Sequence, residues 1–299
     1  EINIRLFFHL LFKKAEIFCC IDLDTMLPVY FASVLRKKIR VYDAHEYFSQ
    51  QKEIITRPKI YRIWNYIERY FVPQFYNGYT VAESIADEFR KKYKVNYEVI
   101  RNVSTLKTLG ETSVKTKSIL YQGSINEARG FEYLIPAMKE VNASLFIYGD
   151  GNFLQQANQL IVDNQLQKKV FIKGKVIPEK LNEITTKSYI GINLVENLGL
   201  NQYFSLANKF FDYIQYCIPQ ITMDFPEYKR INDQFEVAVL ISDLNIKSVA
   251  KAINQLLNDE ALYKRLENNC LPARKAINWE NEEKKLVRFY EKLIISHPK

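Results

Sequence analysis

Glycine is scarce in this sequence: nine residues in 299, about 3%, where soluble proteins use about 7%. Seven of the nine (Gly123, Gly130, Gly149, Gly151, Gly174, Gly191, Gly199) fall between 123 and 199. A chain this sparing puts glycine where a side chain is excluded, in turns or beneath a ligand. Histidine is scarcer still, with three residues, two of them at 9 and 297, which argues against a His-based metal centre. The four cysteines (Cys19, Cys20, Cys217, Cys270) show no CxxC and no metal spacing. They read as free thiols in a reducing cytosol, with Cys19 and Cys20 on opposite faces of a strand. No apolar run approaches the ~18–20 residues of a membrane-spanning helix; the longest, Leu6–Phe12 and Ala15–Ile21, are broken by His9, Lys13 and Lys14. The start lacks the basic, apolar and small-residue succession of a signal peptide, and its first residue is Glu.

What remains is ordinary globular composition, 47% hydrophobic and 25% charged, which excludes a disordered chain. A length of 299 residues exceeds what one core usually fills, so two domains are expected. The net charge of +8 is uneven. Residues 1–110 carry 18 Lys+Arg against 12 Asp+Glu, and residues 111–299 carry 24 against 22. The first half therefore has either a solvated basic face or an anionic partner: a membrane surface, an acidic acceptor or nucleic acid. Nucleic acid is disfavoured, because no helix-turn-helix, zinc finger or RNP motif accompanies the charge.

Short apolar runs alternate with helical periodicity. In the first half, Glu16–Ile21, Ile39–Asp43, Gly78–Val81 and Tyr97–Arg101 read as buried strands, separated by helices at Asp24–Arg36, near Pro58–Tyr76 and at Ala82–Lys92, with Asp24 and Ser84 as cap-region residues. Residues 104–116 are polar and aperiodic and read as a linker. A second series follows, with strands at Ser118–Gln122, Ala143–Tyr148, Val170–Lys173, Tyr189–Leu194, Gln220–Met223 and Val237–Ile241. Its helices are expected at Gly130–Val141, Phe153–Asn164, Pro178–Thr186, Leu206–Tyr216, Ile246–Leu257 and Glu260–Asn268; after a break at Pro272 comes Asn281–Ser296. Continuous apolar strands alternating with helices mean βαβ units and parallel sheets. The expected fold is α/β, two Rossmann-like domains facing each other across a cleft: 1–105, 106–280, and a last helix in 281–299 packing back toward the first domain.

Ligands of such sheets bind beyond the carboxyl ends of the strands, so the residues there matter most. After Tyr121-Gln-Gly123 comes a loop, and Arg129-Gly130 opens a helix. A helix N-terminus beside a guanidinium suits a phosphate or diphosphate; a surface arginine at a tight turn fits the same residues. In Ser205–Gln220, helical spacing puts Lys209 and Asp212 near one face, with Asn208 one turn before Asp212. The cation can take a diphosphate and the carboxylate two ribose hydroxyls. An exposed ion pair worth a few tenths of a kcal/mol is the other reading.

These stretches, with Asp22-Leu-Asp-Thr25, Val41-Tyr-Asp-Ala-His-Glu46, Thr80-Val-Ala-Glu-Ser84, Val99-Ile-Arg-Asn102, Tyr148-Gly-Asp-Gly151, Gly174-Lys-Val and Asp224-Phe-Pro-Glu227, resemble the retaining GT-B glycosyltransferases of family 4, glycosyl transferases group 1. The resemblance spans about residues 15–290. It implies a hexosyltransferase-type enzyme moving a sugar from a nucleotide-diphosphate sugar to a glycan or lipid-linked acceptor in cell-surface polysaccharide synthesis. It further implies that Gly123, Arg129 and Lys209 bind the donor diphosphate, Asp212 the ribose, and the Lys175-Val176 region the base. Glu196 and Asn208 are then donor-sugar candidates, and His45 is the catalytic residue near the donor sugar and the β-phosphate. No cofactor, metal or protein nucleophile is implied. Asp22-Leu-Asp24 has metal-motif spacing, but reads better as a helix cap with a loop carboxylate.

The sequence departs from the family at three places. Phe204 stands where the first Glu of E-x7-E belongs, Ser124 where an Arg often follows the glycine, and too few βα units precede Ala15. At ~30 residues per βα unit, the last departure reads as a fragment lacking about 60–80 residues. A bacterial, cytoplasmic protein, peripheral at the inner face of the membrane, is expected. The basic, aromatic first half (Phe7, Phe8, Phe12, then Arg57–Tyr76) suits an anionic membrane surface as well as it suits a packed amphipathic helix. A GT-B epimerase or phosphorylase would need a hydrolytic base or cofactor Lys that is not seen. A non-catalytic nucleotide-binding or scaffold protein is the alternative.

Overall fold

The computed structural model of the chain describes residues 1–109 and 115–296. The chain divides into two compact units, Glu1–Asn102 with Asn197–Ser205, and Val103–Glu196 with Leu206–Lys299. In the first, α1 (Ile2–Phe12), β1 (Ile17–Ile21), α2 (Met26–Arg36), β2 (Ile39–Ala44), α3 (Lys52–Ile55), α4 (Pro58–Phe71), β3 (Asn77–Thr80), α5 (Glu83–Tyr93) and β4 (Glu98–Val99) follow one another. All pairs are parallel and the order is β1-β2-β3-β4, so this sheet grows in one direction. Cys20 is buried and Cys19 exposed, as alternation along β1 requires. Tyr42 on β2 packs against Phe75, Phe89 and Tyr97 with ring centroids about 6 Å apart. No described helix is long and apolar enough to cross a membrane.

In the second unit come β5 (Ser118–Gln122), α6 (Phe131–Ala137), β6 (Ser144–Tyr148), α7 (Leu154–Asp163), β7 (Val170–Gly174), α8 (Pro178–Lys187) and β8 (Ile190–Asn193). The chain then forms α9 (Leu200–Tyr203) within the first unit. It continues through α10 (Asn208–Gln215), β9 (Gln220–Met223), α11 (Pro226–Phe235), β10 (Ala238–Ile241), α12 (Ile246–Asn258), α13 (Glu260–Ala276) and α14 (Trp279–Ser296). The six parallel strands are ordered β10-β9-β8-β5-β6-β7. The winding direction therefore reverses between β5 and β8, where ligand crevices open in doubly wound sheets. Those strands pair at Ile119↔Ile190 and Leu120↔Gly191.

Several expectations are corrected. α13 runs through Pro272 instead of breaking there. The missing N–H forfeits one ladder bond, but Leu266, Cys270, Ala273 and Arg274 are buried on both sides of it and hold the helix in place. α11 was not expected; Pro226 lies at its first turn, where a proline fits a helix. The N-cap positions of α2 and α5 are Thr25 and Ala82, not Asp24 or Ser84, and neither makes a side-chain capping bond. The expected strand Tyr97–Arg101 shortens to the two residues of β4.

The linker reading fails at its start. Trp279 donates its N–H to the Ser104 carbonyl (3.0 Å) and the Leu106 N–H meets the Glu280 carboxylate (2.9 Å). Buried Arg274 donates to the Lys107 carbonyl. These bonds fasten 104–107 to the second unit. Of the remainder, 110–114 lie outside the described residues, as do 297–299 of the expected last segment. Residues 197–205, inside the range expected for the donor domain, group instead with the first unit.

Candidate functional site

α10 is built for its place over β5 and β8. Its Phe210, Phe211, Tyr213 and Ile214 are buried, each worth about 1.5–3 kcal/mol of apolar burial. Tyr213 Oη donates to the Leu120 carbonyl of β5 (3.0 Å), with the Ile192 carbonyl of β8 at 3.4 Å. The ring reaches both strands because Gly191 has no side chain; a Cβ there would lie 2.5 Å from the ring. With its apolar face fixed so, α10 turns Lys209 and Asp212 toward the end of β5.

Lys209 does not form the ion pair with Asp212 that its i,i+3 spacing allows. Its Nζ stands 3.5 Å from the centroid of the Tyr121 ring, a cation–π contact. Gly123, with φ 121°, lies against the same side chain: a Cβ there would be 3.3 Å from Lys209 Cε. Burial pushes the Lys209 ammonium well below its ordinary value, and the positive charge of nearby Arg129 adds to this, while Asp212 pulls the other way. Arg129 has no carboxylate or hydrogen-bond partner among the described residues. Two cations thus lie near each other with neither in an ion pair among the described residues, Asp212 acting on Lys209 only at longer range, an arrangement that suits an anion.

The loop carrying Arg129 is laced to the loop after β6. Ile125 N–H donates to the Asp150 carbonyl (2.9 Å), Phe153 N–H to the Ile125 carbonyl (2.9 Å) and Asn152 N–H to Asn126 Oδ1 (3.1 Å). Glu196 N–H donates to the Ala128 carbonyl (3.0 Å), which ties the end of β8 to the residue before Arg129.

Asp212 is half-buried. Its Oδ1 accepts from Ser104 Oγ and its Oδ2 from Gln122 Nε2 (2.9 Å). Gln122 Oε1 in turn accepts from Thr185 Oγ1 (2.8 Å). Burial raises the Asp212 carboxyl, and the Ser104 and Gln122 bonds oppose that rise. Each carboxylate oxygen keeps a second acceptor position.

The structure thus gathers Gly123, Arg129, Lys209 and Asp212 at the reversal of the sheet, with Glu196 joined through its backbone. Asn208 is the exposed first residue of α10. Lys175 and Val176 follow β7; Lys175 is exposed and reaches Asp150 Oδ2 at 3.4 Å. Tyr121, Ser104 and Thr185, which contact these candidates directly or through Gln122, were not among the expected site residues. An aromatic residue two before the glycine was the visible signal for Tyr121. Ser104 and Thr185 offered none, because their hydrogen bonds span 108 and 63 residues of chain.

His45 belongs to the first unit, after β2. Its Nε2 lies 3.1 Å from Asp43 Oδ2, which also accepts from Tyr79 Oη (3.0 Å). The Asp43 hydrogen bond raises the imidazole's pKa. Asp43 Oδ1 is buried without a partner. Asp22, with φ 55°, accepts from the Glu46 N–H at 3.2 Å. Burial and the Glu46 charge push its carboxyl up to about 6. Glu46 and Tyr47 are held by Asn201, whose Nδ2 donates to Glu46 Oε2 (3.1 Å) and whose Oδ1 accepts from the Tyr47 N–H (2.9 Å). Among the described residues no His, Cys, Asp and Glu group of metal-binding size occurs.

The fold is similar to that of solved glycosyltransferases. TarM of S. aureus, complexed with fondaparinux, alpha-GlcNAc-glycerol and UDP, superposes with a TM-score of 0.76 at 16% identity, over 95% of this chain and 58% of that one. HepE of Anabaena in complex with UDP gives 0.76 at 11%, over 97% and 82%. A glycosyltransferase of Rickettsia africae gives 0.75 at 12%, over 97% and 80%. The chain therefore spans less than two thirds of the length of TarM. No curated protein matches it significantly. Two parallel α/β units with these neighbours constitute the GT-B fold. The model of the family described as glycosyl transferases group 1 matches residues 110–270, more than half of the chain and the whole of the gathered cations and carboxylate, and the protein belongs to that family.

Proposed function

We propose that the protein is a glycosyltransferase that takes a sugar from a nucleotide-diphosphate donor and passes it, with retention, to a glycan or lipid-linked acceptor. The observation that carries this reading is the pair of cations Arg129 and Lys209, neither in an ion pair among the described residues, beside Gly123 and Asp212 at the reversal of the second sheet. Breaking the anomeric C–O bond leaves negative charge on the diphosphate. Arg129, Lys209 and the N-terminus of α10 stabilise that charge without rearranging. Asp212, already oriented by Ser104 and Gln122, takes the ribose hydroxyls. Lys175 and Val176 are assigned to the base, Glu196 and Asn208 to the donor sugar, and His45, oriented by Asp43, is the catalytic residue of the first unit. Neither a cofactor nor a metal enters this scheme. A lipid-linked acceptor in surface-polysaccharide synthesis would bring the protein to the inner face of a bacterial membrane.

Titration calorimetry of UDP, GDP, ADP and CMP against the whole chain tests the donor site. One nucleotide should bind at micromolar concentration, and Arg129→Ala or Asp212→Ala should each weaken it tenfold or more, about 1.4 kcal/mol. No binding by the folded chain would overturn the assignment. Phe204 at the place of the first motif Glu favours a second reading, a non-catalytic nucleotide-binding or scaffold protein. Nucleotide binding without turnover of any nucleotide sugar would select it.

A further inference from the structure

α4 has an outer face that its packing does not explain. Its inward side presents Tyr61, Trp64, Ile67, Glu68 and Phe71, of which Glu68 and Phe71 are buried. Trp64 meets Phe48 with ring centroids 4.9 Å apart. The outer side carries Lys59, Arg62 and Arg69, all exposed, together with Ile63 (57% exposed), Tyr66 (68%) and Tyr70 (54%). The only carboxylate of this helix, Glu68, points inward and accepts from Tyr93 Oη, so the outer face has charge of one sign.

The apolar strip continues onto α2. Tyr66 stacks on Tyr70 (6.3 Å), Tyr70 meets Phe71 (4.9 Å), and Phe71 meets Phe31 of α2 (6.1 Å). Phe31, Val34 and Leu35 are exposed beside it, and α2 has no acidic residue. Exposed aromatic and branched aliphatic side chains among lysines and arginines match a lipid interface. The cations meet phosphate headgroups, the tyrosines lie at the boundary, and Ile63, Phe31 and Leu35 enter the acyl region. A second copy of the chain fits poorly, because two faces of the same sign repel.

We propose that the outer face of α2 and α4 docks on an anionic lipid bilayer. The surface lies wholly in the first unit and does not depend on the donor reading. Co-sedimentation of the whole chain with vesicles of phosphatidylcholine, alone or with one quarter phosphatidylglycerol, tests it. The chain should bind only the anionic vesicles, and less as salt rises. Arg62→Glu with Arg69→Glu should weaken binding at least about 25-fold, at roughly fivefold per lost charge. Ile63→Ser with Tyr66→Ser should weaken it at low and high salt alike. Reversing two exposed cations of the second unit, Lys251→Glu with Lys275→Glu, should leave binding largely intact. Nucleotide titration and circular dichroism of each variant separate loss of folding from loss of docking. Absence of binding to anionic vesicles, equal loss in the control pair, displacement of the vesicles by RNA, or lipid-free dimers abolished by the α4 variants would overturn the proposal.

Discussion

Lys209 sits half-buried on the Tyr121 ring, beside another cation and without a carboxylate partner. A charge so placed destabilises the ligand-free fold, and its retention makes sense if an anion arrives to offset it. Lys209→Met keeps the length and the contact with Tyr121 while removing the charge. Thermal denaturation should show the ligand-free variant more stable by about 1 kcal/mol, with nucleotide-diphosphate affinity at least tenfold lower. A variant that is less stable and binds as well would contradict this account. Asp22 provides a second test, by pH. Its carboxyl titrates at about 6 in the fold against 3.8 for the ordinary group. Between these values the folded chain holds a proton that the unfolded chain releases, so stability falls as pH rises from about 4 to about 6. Asp22→Asn should flatten that part of the stability–pH curve, as read from chemical denaturation at successive pH values.

At the scale of elements, the site depends on how closely α10 approaches the strands beneath it. Gly191→Ala would put a methyl 2.5 Å from the Tyr213 ring and push α10 off β5 and β8. A loss of about 1–3 kcal/mol is expected from such overpacking, together with weaker nucleotide binding because Lys209 and Asp212 move with the helix. Denaturant unfolding measured beside calorimetry would show both losses or refute the coupling. The strands of this unit were legible because each is an apolar run ending in glycine or polar residues, and Gly123, Arg129, Lys209 and Asp212 were legible because the motifs around them are local. Ser104 was not. Its polar, aperiodic surroundings look like a linker, and its partners Asp212 and Trp279 lie more than 100 residues away. Pro272 misled in the opposite sense: its local cost is real, and buried neighbours outweigh it.

Across the whole molecule, the chain passes from one unit to the other three times, after Asn102, Glu196 and Ser205. It leaves the second unit after Glu196, forms α9 in the first, and returns at Leu206, three residues before Lys209. Within the first unit, Asn201 of that excursion holds the backbone of Glu46 and Tyr47, beside His45. The sequence by itself determined the class of the fold and marked the candidate residues Gly123, Arg129, Lys209 and Asp212, since hydrophobic periodicity, scarce glycines and local motifs are written within a few tens of residues. Only the tertiary structure decided which strands became neighbours. It alone reversed the sheet between β5 and β8, left Lys209 on an aromatic ring instead of a carboxylate, and brought Ser104 to Asp212. Each of these depends on groups far apart in the chain, and their pairing follows from the packing of whole elements, which no local pattern encodes.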